Sequence, residues 1–252
     1  MQLDIILRTH STSNVHTFEE RFAGAPKAEI MLRCARSLVA SANAAAGDIR
    51  LWAVDDHSDQ EPLAELNDIL SRSKHPAKIA SLAEGGVQKS ALAHFKAGKD
   101  AGREIVYFVE DDYLHAPGAI QEMLDAYRLF KTNLGGREVA LHPWDDPNNY
   151  RQYQAEPCRV VYGPRRHWRT NTHTTNTCML SHALLKQEWA RFERLATLYG
   201  IDHSVAEENT INAIWREQAV LFSPIPSLAL HMQFEQHRDP YIDWRAWWDA
   251  AA

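Results

Sequence analysis

The sequence predicts a single α/β domain with a mainly parallel central sheet flanked by helices. Three observations carry that expectation. Short apolar runs alternate with amphipathic helical stretches from residue 3 to about 109. Two of the runs end in clusters of acids. No repeat, low-complexity tract or linker divides the 252 residues. Strand and helix patterns that alternate in this way build parallel βαβ units with right-handed crossovers.

The elements follow in order. A strand over about 3–8 leads into a polar loop, His10 to Pro26. Met31, Cys34, Leu38 and Ala42 recur at helical spacing, so a helix is expected over 28–43. Next come a strand Ile49–Val54 and a helix from Pro62 to Arg72, where a proline near the start costs no hydrogen bond. A strand Lys78–Leu82 ends near Gly85-Gly86, and a helix Val87–Gly98 returns the chain to the run Ile105–Val109. Five consecutive apolar residues, β-branched or aromatic, suit a strand covered on both faces. After Pro117, Ile120, Met123, Leu124, Tyr127 and Phe130 form one apolar helical stripe, which is core rather than a binding surface. Residues 131–175 are loop-rich, with one strand near Val139–His142. A strand Thr177–Ser181 and helices over 183–198 and Ala206–Gln218 follow. In the tail, Trp244, Trp247 and Trp248 share a helical face; packing on the domain is favoured over a dimer contact or docking at a membrane interface, which normally brings a basic face. The expected division within this one domain is a first half to about residue 115, a second to about 235, and the tail from 236.

Composition limits the function classes. A formal charge of −6 argues against nucleic-acid binding across the surface. Cys34, Cys158 and Cys178 are too few and too scattered for a disulfide framework or a zinc knuckle, which points to a reducing compartment. No basic leader precedes a long apolar core, and no run of about 18 apolar residues exists. The expectation is a cytoplasmic protein, with no more than peripheral contact at a membrane.

The acids are the informative feature. Val109 runs directly into Glu110, Asp111 and Asp112, and Val54 into Asp55, Asp56, His57, Ser58 and Asp59. Three carboxylates cannot be buried without countercharge, so they face water, a cation or a metal. In open α/β sheets, ligands collect at the carboxyl ends of the strands. The bland reading of the second cluster is helix and turn capping; two acidic ends in one α/β half favour a shared polar cleft. Glu110, Asp111 and Asp112 thus mark a candidate metal and phosphate site, since a hard divalent cation is held by one or two carboxylates and phosphate oxygens.

Taken in order, these pieces resemble a nucleotide-sugar glycosyltransferase of the GT-A fold, most like family 2, over roughly residues 2–125. Asp55-Asp56-His57-Ser58 is similar to that family's strand-end motif, Gly85-Gly86 to its glycine-rich turn, and Glu110-Asp111-Asp112 to its metal-binding DxD with Glu in the first acidic place. The resemblance implies a Mn²⁺ or Mg²⁺ cofactor held by Asp112, with Glu110 beside it and His231 closing the set. It implies a nucleotide-sugar donor, UDP-sugars favoured, held by Thr9, Asp55, Asp56 and Asp111. Where the family often carries an arginine toward the diphosphate this chain has His94, so Lys89 is the substitute cation. Glu207 and Glu208 stand where an acidic pair supplies the base in an inverting transfer; early-helix Glu also favours the macrodipole without any catalytic role. The acceptor, a glycan or a lipid-linked molecule, is expected along the aromatic middle segment, with Trp144, Arg166 and Trp168 as its contacts. The rivals are a sugar-phosphate nucleotidyltransferase, weakened because Arg8–Ser13 lacks glycine, and a catalytically silent carbohydrate-binding protein.

Overall fold

The computed structural model describes residues 1–12, 24–150, 157–174, 176–199, 203–233 and 239–252, with 203–205 as backbone only. Most of the polar loop expected after the first strand, residues 13–23, lies outside the described residues. The first half follows the expected alternation closely: β1 (Gln2–Thr9), α1 (Lys27–Asn43), β2 (Asp48–Asp55), α2 (Gln60–Ser71), β3 (Ala77–Ser81), α3 (Val87–Ala101) and β4 (Ile105–Glu110). Then come β5 (Tyr113–His115), α4 (Ala119–Asn133), β6 (Glu138–Leu141), β7 (Val160–Tyr162), β8 (His167–Asn171) and β9 (Cys178–Ser181). The chain continues through α5 (His182–Gln187), α6 (Trp189–Leu198), α7 (His203–Glu208), α8 (Ile211–Glu217), β10 (Ala219–Ile225), β11 (Ala229–His231) and α9 (Trp244–Ala250).

One nine-stranded sheet runs in the order β3-β2-β1-β4-β9-β6-β10-β8-β7, and β11 pairs with β5 in a small second sheet. The large sheet is mixed. β3, β2, β1 and β4 are parallel, as is β6 with β10, whereas the β4–β9, β9–β6, β10–β8 and β8–β7 pairs are antiparallel. The parallel expectation therefore holds across β3-β2-β1-β4 and again between β6 and β10, and fails at the pairs made by β9 and by β7–β8. There β9 inserts between β4 and β6 and β7–β8 forms a hairpin, neither needing a helical crossover.

Alternation along β1 and β4 decides what each face holds. Leu3, Ile5, Leu7, Ile105, Tyr107 and Val109 pack with Met31 and Leu38 of α1 and with Ile120, Met123 and Tyr127 of α4. Ile6, Val106 and Phe108 pack on the other face with Phe95 of α3 and Phe192 and Leu195 of α6. By the same period of two, Arg8 and Glu110 belong to this second face. A third cluster joins α9 to α1, β5 and β11 through Trp244, Trp248, Ile30, Cys34, Leu114 and Leu230. Arg33 lies over the Trp248 ring at 4.4 Å and donates to the Trp248 carbonyl, so the tail packs on the domain. No helix among the described residues is long and apolar enough to cross a membrane.

Two expected helices are broken. The stretch 183–198 divides at Glu188 into α5 and α6, and Ala206–Gln218 divides at Asn209-Thr210 into α7 and α8. The second break moves Glu207 and Glu208 from the start of a helix to the end of one. The macrodipole explanation for these acids is thereby removed, because a helix C-terminus disfavours negative charge.

α3 approaches β4 so closely that a Cβ on Gly98 would lie 2.5 Å from the Phe108 ring and 2.9 Å from Val106. Gly98→Val should therefore lower the urea midpoint, with overpacking costing about 1–3 kcal/mol. An unchanged midpoint would mean that α3 can retreat from the sheet.

Candidate active site

The two acidic strand ends open on one edge. β2, β1 and β4 are adjacent and parallel, with Thr9 opposite Asp55 and Arg8 opposite Glu110. Cross-links stitch the ends together. The Thr9 hydroxyl donates to Asp55 at 3.0 Å, and the His10 backbone N–H donates to Asp111 at 2.8 Å. His10 Nδ1 lies 2.6 Å from the Asp56 carbonyl oxygen. Asp56 also accepts the Gly86 N–H at 3.1 Å, which ties the glycine turn to the end of β2. Gly86 has φ 129°, a left-handed conformation suited to glycine. Asp55 is completely buried and accepts the Ser58 N–H at 3.2 Å. Asp55 and Asp56 thus shape the edge, leaving the adjoining backbone to line it.

Each acid at the end of β4 meets its own cation. Glu110 Oε1 accepts from Arg8 at 2.6 Å, from the Tyr199 hydroxyl at 2.9 Å and from Asn176 Nδ2 at 3.3 Å. Asp111 takes Lys27, the first residue of α1. Asp112 lies 3.4 Å from His231 Nε2. The strand pair β5–β11 makes this last contact: Tyr113 is in register with His231, and the Met232 N–H donates to the Asp112 carbonyl at 2.7 Å. The His231 ring stacks on Tyr113 at 4.8 Å, and the Trp144 ring meets it edge-on at 5.2 Å.

Burial and these charges set the protonation states. Burial would raise the Asp112 carboxyl, but His231, Lys27 and Arg8 outweigh it and hold Asp112 well below the usual range. His231 is shifted upward, with burial opposing and Asp112 prevailing. Asp111 is shifted upward, because burial outweighs Lys27.

Glu207 belongs to the same basin. Burial first, and then the charge of Glu110, push its carboxyl up to about 8, while His231 opposes them. Glu207 has no salt-bridge partner among the described residues. Glu208 points elsewhere: it is exposed, pairs with Arg216 at 2.6 Å and lies 3.6 Å from His173. Of the two candidate bases, the structure brings only Glu207 to the acids.

Other sequence expectations need correction. Lys89 is exposed and pairs with Glu84, outside the acid cluster; Arg8 and Lys27 are the cations there. His94 is fully buried with Nε2 2.8 Å from the Ile6 carbonyl oxygen, and burial drops its pKa to about 3, so it is a neutral core residue. Trp168 is 0% exposed and packs edge-on to Phe130, which leaves no face for a sugar. Arg166 forks onto Glu122 at 2.7 and 3.0 Å and caps the Pro226 and Ser227 carbonyls, so its guanidinium is engaged within the fold. Trp144 is buried behind His231. Arg8, Lys27, Tyr199 and Asn176 were missed. A signal existed for the first, since a cation ending a buried strand must meet an anion on a neighbour.

The residues present suit a divalent cation in part. Asp112 Oδ1 is buried with no hydrogen-bond partner, which is costly for a carboxylate oxygen unless something fills the position. His231 stands beside it. Glu110 differs, since one of its oxygens already takes three donors. Among the described residues no group of three or more His, Cys, Asp or Glu converges to cage a metal unaided. The fit is to an ion completed by phosphate oxygens and water, as Mg²⁺ and similar ions commonly are.

Fold and edge together define an α/β protein of the GT-A type whose polar site lies where two acidic strand ends meet. Among solved structures, the chain is similar to S. aureus TarS, with TM-score 0.53 and 14% identity over 88% of this chain and 36% of that one. It is similar also to TarS 1–349, with TM-score 0.51 and 16% identity, and to TarS 1–349 in complex with UDP-GlcNAc, with TM-score 0.52 and 16% identity. Each match covers 88% of this chain, and 60% and 58% of those chains. The chain therefore spans less than two thirds of the TarS chains. No protein-family model matches the sequence, and no curated protein does.

Proposed function

We propose that this protein is a metal-dependent, inverting glycosyltransferase that moves a sugar from a nucleotide-sugar, a UDP-sugar being favoured, to a hydroxyl of a glycan or lipid-linked acceptor. The observation that carries this reading is the convergence of Asp112, His231 and Glu207 on the edge where Asp55 and Asp56 tie the strand ends and the glycine turn together. The likeness to a TarS structure holding UDP-GlcNAc supports the choice of donor.

The chain's own residues divide the work. Asp112 and His231 would hold the Mn²⁺ or Mg²⁺ ion, which when bound neutralises charge on the departing diphosphate. Arg8 and Lys27 place two fixed positive charges at the same edge. The strand ends around Thr9, Asp55 and Asp56 seat the nucleotide. Glu207 takes the proton from the acceptor hydroxyl as its oxygen bonds to the anomeric carbon; the bond to the diphosphate breaks, and its electron pair leaves on the phosphate oxygen. A single displacement of this kind inverts the anomeric centre.

A thermal-shift series with UDP, GDP and ADP, each with and without Mn²⁺, tests this reading. UDP should stabilise the protein strongly only with metal, by about 2.7 kcal/mol at a hundredfold excess over Kd. No response to any nucleoside diphosphate would discard the donor site and favour a silent carbohydrate-binding protein.

A further inference from the structure

Tyr199 joins the acidic edge to the segment that carries the proposed base. It is the residue at which the chain leaves α6, with extended backbone at φ −61° and ψ 129°. Its hydroxyl donates to Glu110 Oε1 at 2.9 Å and accepts from Arg8 Nη2 at 3.1 Å and from Asn176 Nδ2 at 2.6 Å. A hydroxyl offers one hydrogen and two lone pairs, and here all three are engaged. The partners belong to β1, β4 and the stretch before β9, so the exit of α6 is fastened across three parts of the fold. Arg8 adds a second hold, with its guanidinium 4.8 Å from the centre of the Tyr199 ring.

Packing carries this anchor on to α7. Phe192, Leu195 and Ala196 of α6 lie in one apolar cluster with Ala206 of α7, and Tyr199 packs against the same cluster. Ala206 directly precedes Glu207. An anchor is needed there because the ionised form of Glu207 is opposed on two counts. Burial disfavours it, and so does the charge of Glu110; two carboxylates held close repel each other. A free α7 would relieve both by turning Glu207 outward, as Glu208 already turns to Arg216.

We propose that Tyr199 is a positioning residue for the transfer: its hydroxyl fastens the end of α6 to Glu110, Arg8 and Asn176, and so holds Glu207 at the acidic edge. The role of Glu207 rests on the glycosyltransferase reading; the fastening rests on the bonds alone. Tyr199 reaches the reacting atoms only through Glu207, so its effect should depend on that carboxylate.

Tyr199→Phe in the full chain tests this, since it removes one oxygen and keeps the ring. It should lower kcat by about tenfold to a hundredfold, the scale of a reacting group displaced by about 1 Å. The KM for donor and the Mn²⁺-dependent affinity for UDP should stay within about twofold, because the hydroxyl is not asked to bind the donor. In a Glu207→Gln background the same change should cost no more than about twofold, as the group it positions is already gone. Hydrogen exchange at the amides of 206–208 should quicken in Tyr199→Phe while β1 and β4 exchange as in wild type. Losses that multiply in the double variant, a change confined to KM, or faster exchange throughout the sheet would each overturn the positioning role. So would kcat and exchange equal to wild type. If wild type transfers no sugar, the glycosyltransferase reading falls instead. Exchange at 206–208 then still decides the fastening, and equal rates in the two proteins overturn it.

Discussion

Asp112→Asn should lower sugar transfer by about 10²–10³ or more, the scale seen when a group that stabilises transition-state charge is removed. It should also abolish the dependence of UDP binding on Mn²⁺. The reason is local. Asp112 Oδ1 is a buried oxygen without a partner, and the carboxylate stays ionised because His231, Lys27 and Arg8 surround it. An amide keeps the shape but loses the charge. It also leaves His231 without the anion that raises its pKa, so the imidazole should titrate at lower pH in the variant by NMR. Transfer within threefold of wild type would remove Asp112 from the metal site. Glu110→Gln should behave differently, since Glu110 holds Arg8 and Tyr199; its loss is expected to loosen that network rather than erase metal dependence.

Glu207→Gln should cut kcat by about 10²–10⁴, the usual contribution of a positioned base, with the KM for donor nearly unchanged. Glu208→Gln should remain close to wild type, because that carboxylate is exposed and paired with Arg216. Comparable losses in both would mean that the α7 end acts as a unit rather than through one proton acceptor. The pH profile carries the same argument. A base whose carboxyl titrates near 8 is mostly protonated at neutrality, so kcat/KM should rise with pH up to about 8 at low metal occupancy. Cations bound nearby favour the ionised form and should move that limb toward lower pH. Stability has the opposite trend. The folded chain keeps the Glu207 proton to higher pH than the unfolded chain, whose carboxyl titrates near about 4.3. The stability contributed by this group is thus full below that value and is lost as pH rises through about 8. Glu207→Gln should flatten that decline in urea titrations repeated across the window.

Much of the first half was legible because its signals are local. Leu3 to Leu7 and Ile105 to Val109 read as strands from composition alone, and the stripe from Ile120 to Phe130 read as the helix it is. β10 was not legible, because Pro224 argues against a central strand. The structure accommodates it by ending the β6 pairing at Phe222, two residues earlier. β7 and β8 were also missed, since short strands among loop residues lack a period long enough to detect. Aromatic and basic residues in that segment looked like an acceptor surface. Trp168 instead fills the core beside Phe130, and Arg166 is spent on Glu122.

The sequence by itself determined the alternating α/β start of the fold, the placing of acids at two strand ends, and the acidic pair before α8. Propensity, periodicity and the cost of burying charge act within a few residues, so one chain suffices to read them. Tertiary structure alone decided which groups meet. Arg8 reaches Glu110 only through the β1–β4 register, Lys27 reaches Asp111 only because α1 begins at that edge, and His231 reaches Asp112 only through the β5–β11 pair. The same packing separates Glu207 from Glu208, adjacent in the chain, into one half-buried carboxyl pushed up to about 8 and one exposed ion pair. Coulomb energy and desolvation depend on distance and burial in space, and neither is a property of sequence position.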